Sequence, residues 1–238
     1  MAAAWPAIIV FILCVVFSYM VGRQYFNNHR LNNLFWFVSL ILAALASLFY
    51  AVSALSNPHS AAAFALYYVF GAMWMPAVMG LGSIGLLASR KVTWIFAAAV
   101  FILGAVGTVF LAAASINAGQ LANLDGGAGT GIITTGIWLP FLIVLNSFGA
   151  AAVIIVALLS AWKTGRRQTS TRFLYGNIWI AVGVIVISAA GSAARLGLPQ
   201  MFWITMLIGW IITFVGYRML SPASVFTPVS VTASKAHG

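Results

Sequence analysis

The sequence predicts an all-α fold, a polytopic membrane bundle of seven transmembrane helices, and three observations carry that expectation. The first is composition: 63% of the 238 residues are hydrophobic and 5% are charged, against roughly 25% charged in a soluble domain. So few charges cannot make a water-soluble surface, so lipid must cover most of the outside. The second is the division of the chain into continuous apolar runs, each near the roughly 20 residues that carry a helix across a hydrocarbon core. The third is the placement of the cations, which fall at alternate connections between those runs.

The runs are Trp5 to Gly22, Leu34 to Leu55, Ala61 to Leu87, Thr93 to Ile116, Ile137 to Trp162, Phe173 to Ala194 and Met201 to Leu220. Their continuity separates them from the strands of a membrane barrel, which alternate over about 10 residues. No Lys or Arg precedes the first run and Arg23 follows it, the reverse of a cleaved signal peptide, so a retained helix with its N-terminus outside is expected. Arg23, His29 and Arg30 occupy the first connection, Arg90 and Lys91 the third, and Lys163, Arg166, Arg167 and Arg172 the fifth; Arg218 and Lys235 lie at or beyond the last run. The opposite side holds Arg195 as its cation and Asp125 as its anion. Adding or dropping a span would scramble this alternation, which therefore predicts an N-out, C-in protein of the cell (inner or plasma) membrane. Residues 1–220 form the membrane domain, and 221–238, with Pro222 and Pro228 and no helical period, read as a disordered cytoplasmic tail. Trp5, Trp94, Trp138, Trp162, Trp179 and Trp203 stand near run ends and suit the headgroup region.

A net charge of +10 would suggest nucleic-acid binding in a soluble protein, but here the cations sit in short connections, where anionic lipid and the membrane potential hold them. Membrane lipids are thus the expected partners and nucleic acid is not. The chemistry of the spans is restrictive. The one acidic residue, Asp125, is in a loop, so the spans offer no carboxylate to relay protons or bind Na⁺. His29, His59 and His237 fall outside the runs, and the single cysteine, Cys14, reads as a small buried hydrophobe, so neither a haem nor a zinc site is expected. The last run has no lysine for a retinal Schiff base. No catalytic residue, metal or cofactor is expected. The segment Asn117 to Gly136, containing Asp125-Gly-Gly-Ala-Gly-Thr-Gly, reads as a flexible outer loop and lacks the Gly-Lys-Ser/Thr ending of a phosphate-binding loop.

The remaining polar and helix-bending residues define the candidate site. Asn146 falls near the middle of the fifth run, where an amide must find an interhelical partner, water or ligand. Pro76 removes a backbone donor and clashes with the carbonyl of Ala72, so a kink is expected there, with Met73, Trp74 and Met75 beside it as candidate cavity lining. Arg195 closes the sixth run and could pair with Asp125, folding the Gly-rich loop over the bundle, or meet an anionic ligand or lipid phosphate. Gly80, Gly82, Gly85 and the run from Ser188 to Ala194 allow helices to approach closely.

Gly22-Arg23 and Trp36 align with Gly165-Arg166 and Trp179 at one fixed offset. Two parallel three-helix units joined by an inverting fourth helix would give this pattern, an arrangement that resembles the sugar-facilitator family known as SWEETs; no substrate site is carried over. The stretches Tyr67-Tyr-Val-Phe-Gly, Gly80-Leu-Gly-Ser, Leu145-Asn-Ser-Phe-Gly and Gly191-Ser-Ala-Ala-Arg-Leu-Gly resemble those of prokaryotic seven-helix membrane proteins of no assigned activity. The sequence leads to a non-enzymatic protein that binds or senses a small apolar or amphipathic molecule between its helices. A facilitator for a neutral solute and an accessory subunit docked to protein partners in the membrane are the alternatives.

Overall fold

The computed structural model describes residues 4–124, 126–167 and 170–221, without the side chains of Arg167 and Arg195. Seven helices are long and apolar enough to cross a membrane. They are α1 (Trp5–Asn28), α2 (Leu31–Leu55), α3 (Ala61–Leu87), α4 (Arg90–Ala112), α5 (Trp138–Arg167), α6 (Thr171–Arg195) and α7 (Phe202–Leu220). The residues expected to form the tail beyond Ser221 lie outside the described residues.

Local chemistry sets the helix ends. Pro6 sits in the first turn of α1, where its missing N–H costs nothing, and His29 ends the helix in the left-handed conformation, at φ 50°. Serine side chains cap three of the others: Ser60 accepts from the Ala63 N–H, Ser89 from Val92 and Ser170 from Phe173. The connections between α2 and α3, α4 and α5, and α6 and α7 share one end of the bundle, where Gly127 packs on Pro199 and Tyr68 bonds the chain at Ala128 and Gly129. At the other end Gln24 reaches Ser221 and Arg172 donates to the Arg218 carbonyl. These are called the loop end and the basic end below.

Six helices close a ring: α1 packs on α2, α2 on α3, α3 on α5, α5 on α6, α6 on α7, and α7 returns to α1. The fourth helix stands outside it against α3 and α5, and its apolar window is 28% buried, the lowest of the spans. The ring closes tightly where side chains are missing. A Cβ on Gly149 of α5 would lie 2.1 Å from the Pro76 carbonyl oxygen of α3, and one on Gly183 of α6 would lie 2.7 Å from the Thr213 nitrogen of α7. Without a hydrophobic drive between helices in lipid, such backbone contact supplies the dispersion energy that holds them.

The tryptophans divide into two groups. Trp5, Trp94, Trp162 and Trp179 are 49%, 47%, 54% and 41% exposed, as interfacial rings should be, whereas Trp138 and Trp203 are 5% and 2% exposed. The headgroup placement expected for these two is therefore corrected. Trp203 is packed against Tyr50 and Tyr67, and Trp138 donates to the Thr134 carbonyl and lies edge-on to Tyr68. Position near a helix end does not tell which way a ring faces. Likewise, of the aligned pair, Trp36 is buried and Trp179 is not.

Gly149→Ala should lower the melting temperature in detergent, because the new methyl group must push α3 and α5 apart at a cost of about 1–3 kcal/mol. Unchanged melting would show that this contact is not part of the packed bundle.

Candidate ligand cavity

The loop half of α3 departs from regular α-helix. Tyr68–Trp74 forms a π-helical stretch, in which the Met75 N–H reaches back five residues to the Phe70 carbonyl. Pro76 follows at once and has no N–H to offer the Ala72 carbonyl four residues earlier. The Nδ2 of Asn146 on α5 donates to that Ala72 carbonyl, and it also donates to Leu142 O at 3.0 Å. The amide in the middle of α5 is thereby matched to a carbonyl that proline leaves without its helical donor. These bonds use the Asn146 donors and leave its Oδ1 as an acceptor.

Around this contact lies a cavity of about 580 Å³, bounded by α3, α5, α6, α7 and the loop between α4 and α5. Its apolar wall is made of Met75, Pro76, Met79, Trp138, Met206 and Trp210, and its polar groups are Asn146, Ser147, Ser188 and Ser192 with Tyr67, Tyr68 and loop threonines. None of the lining side chains is charged. The lining residues recur on one face of each helix: Asn146, Ser147, Ala150 and Val153 on α5, and Ser188, Gly191 and Ser192 on α6.

The loop over this cavity is folded, which corrects the expectation of a flexible segment. The Asn117 N–H donates to Ile132 O at 2.8 Å and the Thr134 N–H to Ser115 O at 2.9 Å, around an isolated bridge between Ile116 and Ile133. A helical turn at Ala118–Ala122, capped by Asn117, fills part of the interval. The hydroxyls of Tyr67 and Tyr68 donate to the Ala128 carbonyl, and Tyr68 also to Gly129. Gly129 needs its glycine twice over: its φ is +71°, and a Cβ there would lie 2.2 Å from the Phe64 ring. Loop glycines thus allow a tight path against aromatic rings, where composition alone suggested looseness.

Of the residues singled out in sequence, Asn146, Met75 and Pro76 lie together on the cavity wall. Met73 and Trp74 face the other way, toward α4: Met73 is fully buried against Gly107, and Trp74 Nε1 donates to Thr108 Oγ1 at 2.9 Å. Helical spacing explains the split, since Ala72, Met75, Pro76 and Met79 share one face and the two intervening residues fall on another. Asp125 and the Arg195 side chain lie outside the described residues, and with them the expected ion pair. Tyr67, Tyr68, Trp138, Met206 and Trp210 were not anticipated. The small-polar periodicity of Ser188 and Ser192 was the available signal for the α6 wall.

The fold and this cavity define the class: an all-α chain with seven candidate membrane spans, multi-pass by length and apolarity. Comparison with known proteins finds no matching family model, and no significant match to a curated protein or to a solved structure.

Asn146→Leu should destabilise the bundle by about 0.6–2 kcal/mol, the range for interhelical hydrogen bonds in membranes. In a Pro76→Ala background the loss should shrink, because the new backbone N–H can serve Ala72; additive losses in a double-mutant cycle would refute the pairing. Replacing Tyr67 and Tyr68 together by Phe should speed hydrogen exchange over residues 126–136 by releasing the loop, and unchanged exchange would mean these hydroxyls do not hold it.

Proposed function

We propose that this chain is a non-enzymatic integral membrane protein that holds a small apolar or amphipathic molecule in the loop-end cavity. The observation that carries the reading is the cavity itself: about 580 Å³, within the roughly 300–1,000 Å³ range of small-molecule sites, with aromatic and methionine walls and a few converging neutral polar groups. A charged occupant would lose its hydration without gaining a counter-ion, whereas a neutral one can bury its apolar part against Met75, Met206 and Trp210 and bond Asn146 or the serines.

In the same reading the N-terminus and the loop end face outward and the basic end faces the cytoplasm of a cell membrane. Support comes from Arg23, Arg30, Arg90, Lys91, Lys163, Arg166, Arg172 and Arg218, which all lie at or near the basic end. The ring also supports two three-helix units joined by α4. A two-fold relating α1, α2 and α3 to α5, α6 and α7 carries each contact in the ring onto another: α1–α2 onto α5–α6, α2–α3 onto α6–α7, and α3–α5 onto α7–α1.

Native mass spectrometry of the protein released from its own membrane in mild detergent should show a retained small molecule, and Ala150→Trp, which fills the cavity, should lose it while eluting as the parent does. A chain that carries no small molecule but comes with stoichiometric protein partners would replace this reading with that of an accessory subunit.

A further inference from the structure

The loop-end cavity has a counterpart at the basic end. A second cavity of about 400 Å³ lies between α1, α2, α3, α5, α6 and α7, with Gln24, Asn32, Asn33, Ser83, Asn177 and Tyr217 in its wall. Val153 belongs to both linings. On α3 the lining passes from Met79 in one cavity to Ser83 in the other, and on α6 from Val184 to Ile180. Four residues are one helical turn, about 5.4 Å. Only on α7 is the interval longer, from Trp210, which is 1% exposed, to Tyr217. The two linings thus meet at a layer of buried side chains, Met79, Val153, Val184 and Trp210, which are 4%, 2%, 5% and 1% exposed.

We infer that the two cavities are the halves of one path through the bundle for a small neutral solute bearing hydrogen-bond donors, and that the layer around Val153 is its gate. The chemistry of the walls selects the solute. No charged side chain lines either half. The cations around the basic end repel a cation, with no anionic residue among the described residues to offset them. An anion would leave water for a wall with no charged side chain to pair with it, and one N–H of each wall amide is already used: Asn177 Nδ2 to Phe173 O at 2.9 Å, Asn32 Nδ2 to Asn33 Oδ1 at 2.9 Å, Asn33 Nδ2 to Asn28 Oδ1 at 3.0 Å, and Gln24 Nε2 to Ser221 Oγ at 3.3 Å. Amide oxygens remain, Asn146 Oδ1 in one half and Asn177 Oδ1 in the other, and these accept from the O–H or N–H groups of a neutral molecule. A closed layer lets a solute occupy either half while the other end stays sealed, and movement of Val153 and Trp210 joins the two. The inference shares with the binding reading the premise that the loop-end cavity takes an occupant, and adds an exit to it.

The test is swelling of proteoliposomes, followed by light scattering, with urea, glycerol, erythritol and glucose as uncharged probes and no ion gradient. At least one probe should enter several-fold faster than in protein-free vesicles. Val153→Trp should return that rate to the baseline and Val153→Ala should raise it, both in protein that elutes as the parent does. Rates equal to those of empty vesicles for all four probes overturn the path, as does flux indifferent to both substitutions. A molecule retained in mass spectrometry together with no flux leaves the binding site standing and removes the path; flux without a retained molecule upholds the path and makes the loop-end cavity a place of passage and not of stable binding.

Discussion

In hydrocarbon every backbone donor and acceptor must find its partner within the protein, because an unsatisfied group costs several kcal/mol there. Pro76 puts that rule under strain in the middle of α3, where the proline offers no N–H and the preceding turns have widened to π-helix. Asn146 answers from the neighbouring helix, with an amide donor at the Ala72 carbonyl. Two residues that are each costly alone in an apolar span are thus acceptable together. The pairing also fixes how α5 lies along α3, since Asn146 meets Ala72 one turn before Gly149 meets Pro76.

The same constraint governs the loop end. A segment of Gly, Ala and Thr placed over a bundle carries many backbone groups and few side chains to shield them, so it must fold on itself or remain in water. Here it does the former, through the Asn117–Ile132 and Ser115–Thr134 bonds, and the Tyr67 and Tyr68 hydroxyls take up further carbonyls. Buried Tyr67 and half-buried Tyr68 gain partners by the same contacts, so loop and helix satisfy each other.

Seven spans were legible in the sequence because apolar run length is a property of composition, and lipid imposes it on each span separately. Helix ends were less legible. The helix α4 starts at Arg90, before the apolar run, and α5 continues past Trp162 to Arg167, since basic side chains can extend to the interface while their backbone stays helical. Facing direction was legible only where polarity varied along the helix. It could be read from Ser188 and Ser192, but a uniformly apolar stretch such as Met73-Trp74-Met75 offers no contrast, and the division between the α4 side and the cavity side needed the observed packing. The π-helical stretch leaves no mark in composition, although the Pro76–Ala72 clash gave half of the later pairing. Asn146 supplied the other half, and what joined them was the adjacency of α3 and α5.

That adjacency depends on the place of α4. Had the fourth span entered the ring in chain order, it would have stood between α3 and α5, and Pro76 could touch neither Asn146 nor Gly149. Instead α4 lies on the outside and is held there by the face of α3 that the cavity does not use: Met73 enters the space left at Gly107, Trp74 lies against Gly104 and bonds Thr108. The glycines of α4 are therefore as much part of the site as the residues that line it, because they draw one face of α3 outward and leave the opposite face, with Ala72, Met75, Pro76 and Met79, to the ring. The long connection from α4 to α5 follows from this placement. It must return across the loop end from outside the ring to the start of α5, and in doing so it passes over the cavity mouth, where Ala128, Thr130 and Gly131 become part of the wall.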